Sequence, residues 1–318
     1  MNKTINKIVI AIMALLIVAG LFLFINGNPE EVVIIDNDDN DYHTLEYNGE
    51  TYYYNTDIIS ILLMGIDTNE GVYGQSDHMS LLIIDRRSKE IKLLAIPRET
   101  ITEIEMYGDD GSYLGLSDNH LGLAYPNGYK AGKAGIVTME ATSKLLLNIP
   151  IIYYVATNMN VMPMLAEIVG DVDIELPDDS LAYRNPEWVK GCIFNVNKDT
   201  IEIYLRSRNI YDDFTNKNRM LRQNLYLNWF FDNINSINEE DESFLLAKLE
   251  EILENCETNL SWDEAETFYE LAMDSMRSDP FAYSISGRYA IGQFYEDFYP
   301  NEEDLLSLII KLFYVKEI

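Results

Sequence analysis

Four of the ten arginines in this 318-residue chain fall within seventeen positions: Arg206, Arg208, Arg219 and Arg222. The chain carries a formal net charge of -30, so such a cluster of cations is an unusual local concentration. The run IEIYLRSR alternates, which predicts a strand over 201–205 with Arg206 and Arg208 on one face. Arg219, Arg222 and Gln223 stand at i, i+3 and i+4, one face of a helix expected from about Asn216 to Ile234. A strand end and a helix start would then aim guanidinium groups at one region. Arginine binds phosphate in a bidentate fork, so an anion is the expected ligand. The alternative is that these arginines pair with Asp212, Asp213 and other surface carboxylates.

Two carboxylates could complement that cluster. Asp67 directly follows the apolar run IISILLMGI, and Asp77 precedes the next apolar run, MSLLII. If those strands pair, both carboxylates lie at one sheet edge. Oxygen donors with room for water suit Mg²⁺, which keeps waters and substrate phosphates in its shell. Taken separately, Asp67 also reads as a turn residue and Asp77 as a strand start. Arg98 follows a third apolar run, and Pro97 ends that strand and sets the direction of the chain. Arg98 there could reach a metal-bridged phosphate, or simply neighbour Glu99 on the surface. His120 reads as a loop or core histidine.

The elements that must position these residues are strands 58–66, 79–84 and 91–96, nearly continuous apolar runs of the kind buried on both faces. The last two are joined by DRRSKE, a hairpin turn. Residues 106–133, rich in Gly, Asp and Tyr, read as a long functional loop with some local structure. A helix is expected over 134–148, a strand in IIYYVAT, a short helix to Gly170 and a strand at 172–176. Residues 178–200 read as loop. Further helices are expected near 242–255 and 261–276, where Ser261 is a usable N-cap. A β segment near 281–287 and a terminal helix near 303–314 complete the chain. Strands interleaved with helices predict an α/β or α+β three-layer fold, a central mixed sheet flanked by helices.

Composition narrows the function. The negative charge argues against nucleic acid, whose phosphates would be repelled. The three histidines, His43, His78 and His120, form no zinc pattern, and a P-loop and a GxSxG turn are both absent. Cys192 and Cys256 have no metal-like spacing; they could bridge outside a cell or stay as buried thiols. Residues 8–25 are eighteen apolar residues without a charge, close to the ~20 that span a bilayer. Lys3 and Lys7 precede them, and residues 27–57 carry nine acidic side chains and no Lys or Arg. The positive-inside rule places residues 1–7 in the cytoplasm, 8–25 as a transmembrane anchor and the rest outside; the competing reading is a cleaved signal peptide, although NGNPEE lacks a small-x-small cleavage pattern. Residues 26–56 then form an acidic stalk and 57–318 an extracellular domain.

Five stretches carry a pattern: LLMGIDTNE–GQSDHMSLLIID–IKLLAIPRET, NHLGLAYPNG, IPIIYYVATNM–EIVGDVDIELP, YLRSRNIYDDFTNKNRMLRQ and the weaker TNLSWDEAETFYELA. In order and spacing they resemble the LytR-CpsA-Psr family over about residues 58–315. The resemblance implies a bacterial envelope phosphotransferase held by a single-pass anchor. It implies an undecaprenyl-pyrophosphate-linked glycopolymer as substrate, with the lipid in an apolar tunnel, and peptidoglycan or another wall acceptor. It further implies Mg²⁺ on Asp67 and Asp77, a pyrophosphate held by Arg98, Arg206, Arg208 and Arg219 with Gln223 close by, and Asp212 or Asp213 as a base or arginine-orienting group. Arg98 and Arg206 would be catalytic as well as binding.

The chain departs from the pattern at two cations. Gln75 stands where the family usually has an arginine before Ser-Asp, and TNEG offers no arginine after Asp67. A hydrogen bond to a charged group contributes about 1.5–3 kcal/mol, so each missing cation weakens phosphate binding on that scale. The alternatives are therefore a non-catalytic polyprenyl-phosphate-binding relative, and a pyrophosphatase-like hydrolase acting on the same carrier.

Overall fold

The computed structural model describes residues 44–67, 74–158, 160–207, 242–273, 276–292 and 296–316, together with 218–219, 221–222, 225–226 and 229–230. The apolar segment 8–25 and most of the acidic segment lie outside them. Among the described residues, no helix is long and apolar enough to cross a membrane. The chain divides into two compact units. The described part of the first draws on Gly65–Val72 and Ala156–Asp274; the second draws on Phe24–Met64, Tyr73–Val155 and Ser275–Ile318.

The second unit begins earlier than residue 57. Strands β1 (Thr44–Tyr47) and β2 (Glu50–Tyr54) form an antiparallel hairpin. Three tyrosines in a row are poor material for a solvated stalk; Tyr54 is buried and stacks edge-on against Tyr314 at 5.8 Å. The main strands follow: β3 (Ile58–Ile66), β4 (Ser76–Asp85) and β5 (Glu90–Ala95). Their continuous apolar runs are buried throughout, from Ile61 to Met64, Leu81 to Ile84 and Leu93 to Ile96. Each such side chain contributes about 1.5–3 kcal/mol on burial. β4 and β5 pair antiparallel through the expected hairpin turn. Asp85 closes that turn: its carboxylate accepts the amides of Arg87 (2.9 Å) and Ser88 (3.2 Å) and the Ser88 hydroxyl (2.8 Å).

Residues 106–133 are not one long loop. They hold the end of β6 (Ile101–Tyr107), β7 (Tyr113–His120), a 3₁₀ turn and helix α1 (Ala124–Tyr129). β6 and β7 form a hairpin whose tip is tied by Asp110 Oδ1, which accepts the Ser112 amide at 3.0 Å. β7 is polar because it is largely exposed, so its composition resembles that of a loop. Helix α2 (Ala134–Leu145) packs against β8 (Tyr153–Thr157). Gly135 allows this approach, since a Cβ there would fall 2.1 Å from the Tyr154 ring.

In the first unit, helix α3 (Val161–Val169) precedes β9 (Val172–Glu175). Residues 178–200 contain a further strand, β10 (Ile193–Val196), antiparallel to β9. Helix α4 (Ile201–Arg206) follows directly. Beyond it Arg219, Arg222, Tyr226 and Phe230 are helical, and α5 (Glu242–Glu254), the short strand β11 (Cys256–Thr258) and α6 (Trp262–Met273) follow. Ser261 caps α6 reciprocally with Glu264, its amide donating to Glu264 Oε2 at 2.9 Å. Cys192 and Cys256 are free thiols. Burial pushes the Cys256 thiol up to about 12.

The chain returns to the second unit with β12 (Met276–Ser284), which starts well before the segment expected near 281 and pairs parallel with β5. Strands β8-β3-β4-β5-β12 lie in that order in the central sheet. A parallel β12–β5 pair beside an antiparallel β4–β5 pair makes it mixed, as expected. β13 (Gly287–Ile291) and β14 (Glu296–Pro300) form a hairpin. Helix α7 (Glu302–Phe313) is capped by Asn301, whose side chain accepts the Glu303 and Asp304 amides. β15 (Tyr314–Val315) then pairs with β2.

Candidate functional site: two arginine–aspartate pairs

Each unit holds one of the anticipated carboxylates against one of the anticipated arginines. In the second unit the cation is Arg98. Its backbone is set by a tight turn: Thr100 donates to the Pro97 carbonyl through its amide (3.1 Å) and its hydroxyl (2.6 Å). The Arg98 carbonyl accepts the Gly122 amide at 2.9 Å. Gly122 must be glycine for a steric reason. A Cβ there would lie 2.9 Å from the Ser76 carbonyl oxygen and 3.2 Å from Arg98 Cβ. The strand segment that carries Asp77 and the turn that carries Arg98 thus close on one backbone point. The Arg98 guanidinium donates through Nη1 to Asp77 Oδ1 and through Nε to Glu99 Oε1 at 2.8 Å. Asp77 lies inside β4 rather than ahead of it. His120 is a partnered histidine, its Nε2 2.8 Å from Asp297 Oδ1.

In the first unit the cation is Arg206. Ile201–Arg206 is helix and not strand. The segment satisfies two patterns at once: Ile201, Ile203 and Leu205 alternate, while Ile201, Tyr204 and Leu205 follow i, i+3, i+4. The second set is fully buried, whereas Ile203 is only half-buried. The turn before the helix decides the matter. Asn197 Oδ1 accepts the amides of Asp199 (2.9 Å) and Thr200 (3.2 Å), and the Asn197 carbonyl accepts the Ile201 amide (2.8 Å). Glu202 and Arg206 then stand one turn apart and pair at 2.8 Å. Arg206 Nη2 reaches Asp67 Oδ1 at 2.7 Å, across 139 residues of chain.

Arg222 does not join an anion surface. It is wholly buried. Its Nε donates to the Tyr204 carbonyl at 2.8 Å, Nη1 to the Ser180 hydroxyl and Nη2 to the Ser207 carbonyl. The shared helical face expected of Arg219, Arg222 and Gln223 therefore does not give Arg222 an anion-binding role. Arg219 is helical and half-buried. Arg208, Asp212, Asp213 and Gln223 lie outside the described residues. Gln75, in place of the missing cation, is exposed beside buried Ser76.

Arg98 and Arg206 are both partly exposed. Each commits two of its five donors to carboxylates, which leaves N–H groups for an anion. Asp67 and Asp77 each engage one oxygen and keep the other clear among the described residues. Among the described residues no cluster of three acidic, histidine or cysteine side chains forms a closed metal cage. Each unit thus presents one hard-oxygen donor of the kind that Mg²⁺ accepts, an ion that can be held by a single carboxylate and complete its shell from water and phosphate.

The described residues form a mixed α/β fold with a solvent-accessible arginine–carboxylate pair in each of the two units. The chain belongs to the LytR_cpsA_psr family, whose model matches residues 22–286. It is 34% identical over 155 residues to the polyisoprenyl-teichoic acid–peptidoglycan teichoic acid transferase TagU of Halalkalibacterium halodurans, covering 48% of this chain and 45% of that protein. It is 28% identical over 265 residues to TagV of Bacillus subtilis, covering 78% of this chain and 62% of that one. The chain therefore spans about half the length of the first of these relatives. Its fold is similar to the crystal structure of B. subtilis TagV, with a TM-score of 0.54 at 24% identity over 80% of this chain and 96% of that one. It is also similar to gbs0355 from Streptococcus agalactiae, with a TM-score of 0.60 at 19% identity over 81% and 87%.

Proposed function

We propose that the protein transfers a glycopolymer with its phosphate from an undecaprenyl-pyrophosphate carrier to peptidoglycan or another wall acceptor. The observation that carries this reading is the pairing of Asp67 with Arg206 and of Asp77 with Arg98 in a chain of this family. Related proteins named as teichoic acid transferases point the same way. An acceptor hydroxyl oxygen forms a bond to the phosphorus next to the sugar. The bond from that phosphorus to the bridging oxygen breaks, and undecaprenyl phosphate leaves with the electron pair. Asp212 or Asp213 takes the hydroxyl proton or orients an arginine. Arg98 and Arg206, with Arg208, Arg219 and Gln223, hold the pyrophosphate oxygens where charge accumulates. Asp67 and Asp77 would hold Mg²⁺, which supplies further charge neutralisation when bound. Residues 8–25 would anchor the protein in the cell membrane, with the folded units outside.

The test is transfer from a lipid-linked glycan in the presence of Mg²⁺. Asp77→Ala and Arg206→Ala are expected to abolish most of the activity while circular dichroism stays unchanged. Transfer that survives both changes would contradict the assignment. Gln75 favours one further reading, a lipid-phosphate binder without turnover, because it removes a cation. Binding of the carrier with no transfer would establish that reading; release of free phosphorylated glycan would indicate hydrolysis instead.

A further inference from the structure

Among the described residues Arg222 is the largest fully buried side chain, in a protein whose charged groups otherwise stay mostly in water. Burying a guanidinium is costly unless its donors are satisfied. Its donors go to a particular place. Helix α4 has six residues, too few to be stable alone. The last carbonyls of a helix lack partners within it. Arg222 donates to the carbonyls of Tyr204 and Ser207, which bracket Arg206 in the chain. Its third partner, the Ser180 hydroxyl, ties the same guanidinium to the turn after β9. Ser180 is itself held there, its amide donating to Asp178 Oδ1 at 2.8 Å. Asp178 and Arg222 both act electrostatically on the buried Tyr204 hydroxyl, in opposite directions.

We propose that Arg222 is a positioning residue: it clamps the carboxyl end of α4 and thereby aims the Arg206 guanidinium at Asp67 and at a bound phosphate, without touching substrate itself. Its planar fork bridges two carbonyls and a hydroxyl that a lysine ammonium cannot reach together. Rotation of the last turn of α4 would swing Arg206 away from Asp67. The phosphate half of the proposal rests on the reading of Arg206 as an anion-binding residue.

The experiment uses the full chain in detergent, with farnesyl pyrophosphate and magnesium chloride as the probe for calorimetry. A crystal structure of Arg222→Lys supplies a readout that does not depend on ligand. Arg222→Lys is expected to weaken probe binding by about tenfold or more and to open the Arg206–Asp67 pair. In an Arg206→Ala background the same change is expected to cost nothing further, because its effect passes through Arg206. Ser180→Ala removes only one acceptor and is expected to act in the same direction but less; it serves if Arg222→Lys does not fold. Retention of both affinity and the Arg206–Asp67 pair in the single variant overturns the proposal, as do effects that add fully in the double variant. A wild-type protein that ignores the probe sinks the anion reading, and the Arg206–Asp67 geometry in the variant then decides the positioning role alone.

Discussion

Arg98 and Arg206 both face an aspartate, yet the two units hold them by different means. Arg98 is fixed by backbone: a turn closed on the Pro97 carbonyl and a Gly122 amide bound to its own carbonyl. Arg206 is fixed by a side chain: the end of its short helix is clamped by the buried Arg222. A backbone device tolerates change in most nearby side chains but not the addition of a Cβ at one glycine. A side-chain device places the whole burden on one guanidinium. Two cations with the same partner type thus have different points of failure.

The largest expected effect breaks the side-chain device. Arg222→Met leaves two buried carbonyls without their guanidinium donor and should lower stability by about 2–5 kcal/mol, about 1–3 for each unsatisfied group. Urea unfolding followed by circular dichroism would measure it, and a midpoint unmoved from wild type would show that the clamp contributes nothing. Next comes removal of either exposed cation. Arg98→Ala and Arg206→Ala should each weaken pyrophosphate binding by about 10–100-fold. They should change stability by less than about 1 kcal/mol, because both pairs are solvent-exposed. Calorimetry beside urea unfolding separates the two quantities, and equal decreases in both would blur the contrast between holding and binding.

Gly122→Ala attacks the backbone device. The crowding against Ser76 and Arg98 should cost about 1–3 kcal/mol, with pyrophosphate affinity falling alongside. Stability preserved in this variant would mean that the turn yields without strain. The smallest effect concerns the β4–β5 turn, which joins the strand carrying Asp77 to the one leading to Arg98. Burial raises the Asp85 carboxyl pKa, but the Ser88 hydroxyl and the Ser88 and Arg87 amides outweigh it and hold the group below its ordinary value. A depressed native pKa means that the unfolded chain binds the proton more readily. The stabilisation is therefore complete above the ordinary carboxylate range, near pH 4, and fades as pH falls through the native value. The stability gap between wild type and Asp85→Asn should narrow on acidification; a constant gap down to about pH 2 would exclude the linkage.

Much of the second unit is legible from its residues. Runs such as SLLII and KLLAI are short, apolar and separated by a hairpin turn, the pattern of strands buried on both faces. The link between Asp77 and Arg98 follows from that hairpin, since adjacent strands bring neighbouring segments of chain together. The segment around Arg206 is not legible in the same way, because IEIYLR carries strand and helix periodicity together. Asn197 and Thr200, three apart just ahead of it, are the available sign of a helix start. Arg222 gives no local sign at all: an arginine at i+3 on a helix looks the same in water or in a core.

What the amino-acid sequence determined by itself was the inventory and the local periods: buried strands, capped helices, the family pattern, and an acidic chain with few cations gathered near Asp212 and Asp213. These follow from residue chemistry within a few turns of chain. Only the tertiary structure decided which face of 201–206 is buried, which arginine turns inward, and that Asp67 meets Arg206 across 139 residues. The physical reason is that burial and long-range pairing are properties of surfaces brought together by folding. A guanidinium shows which role it has only when its neighbours are in place.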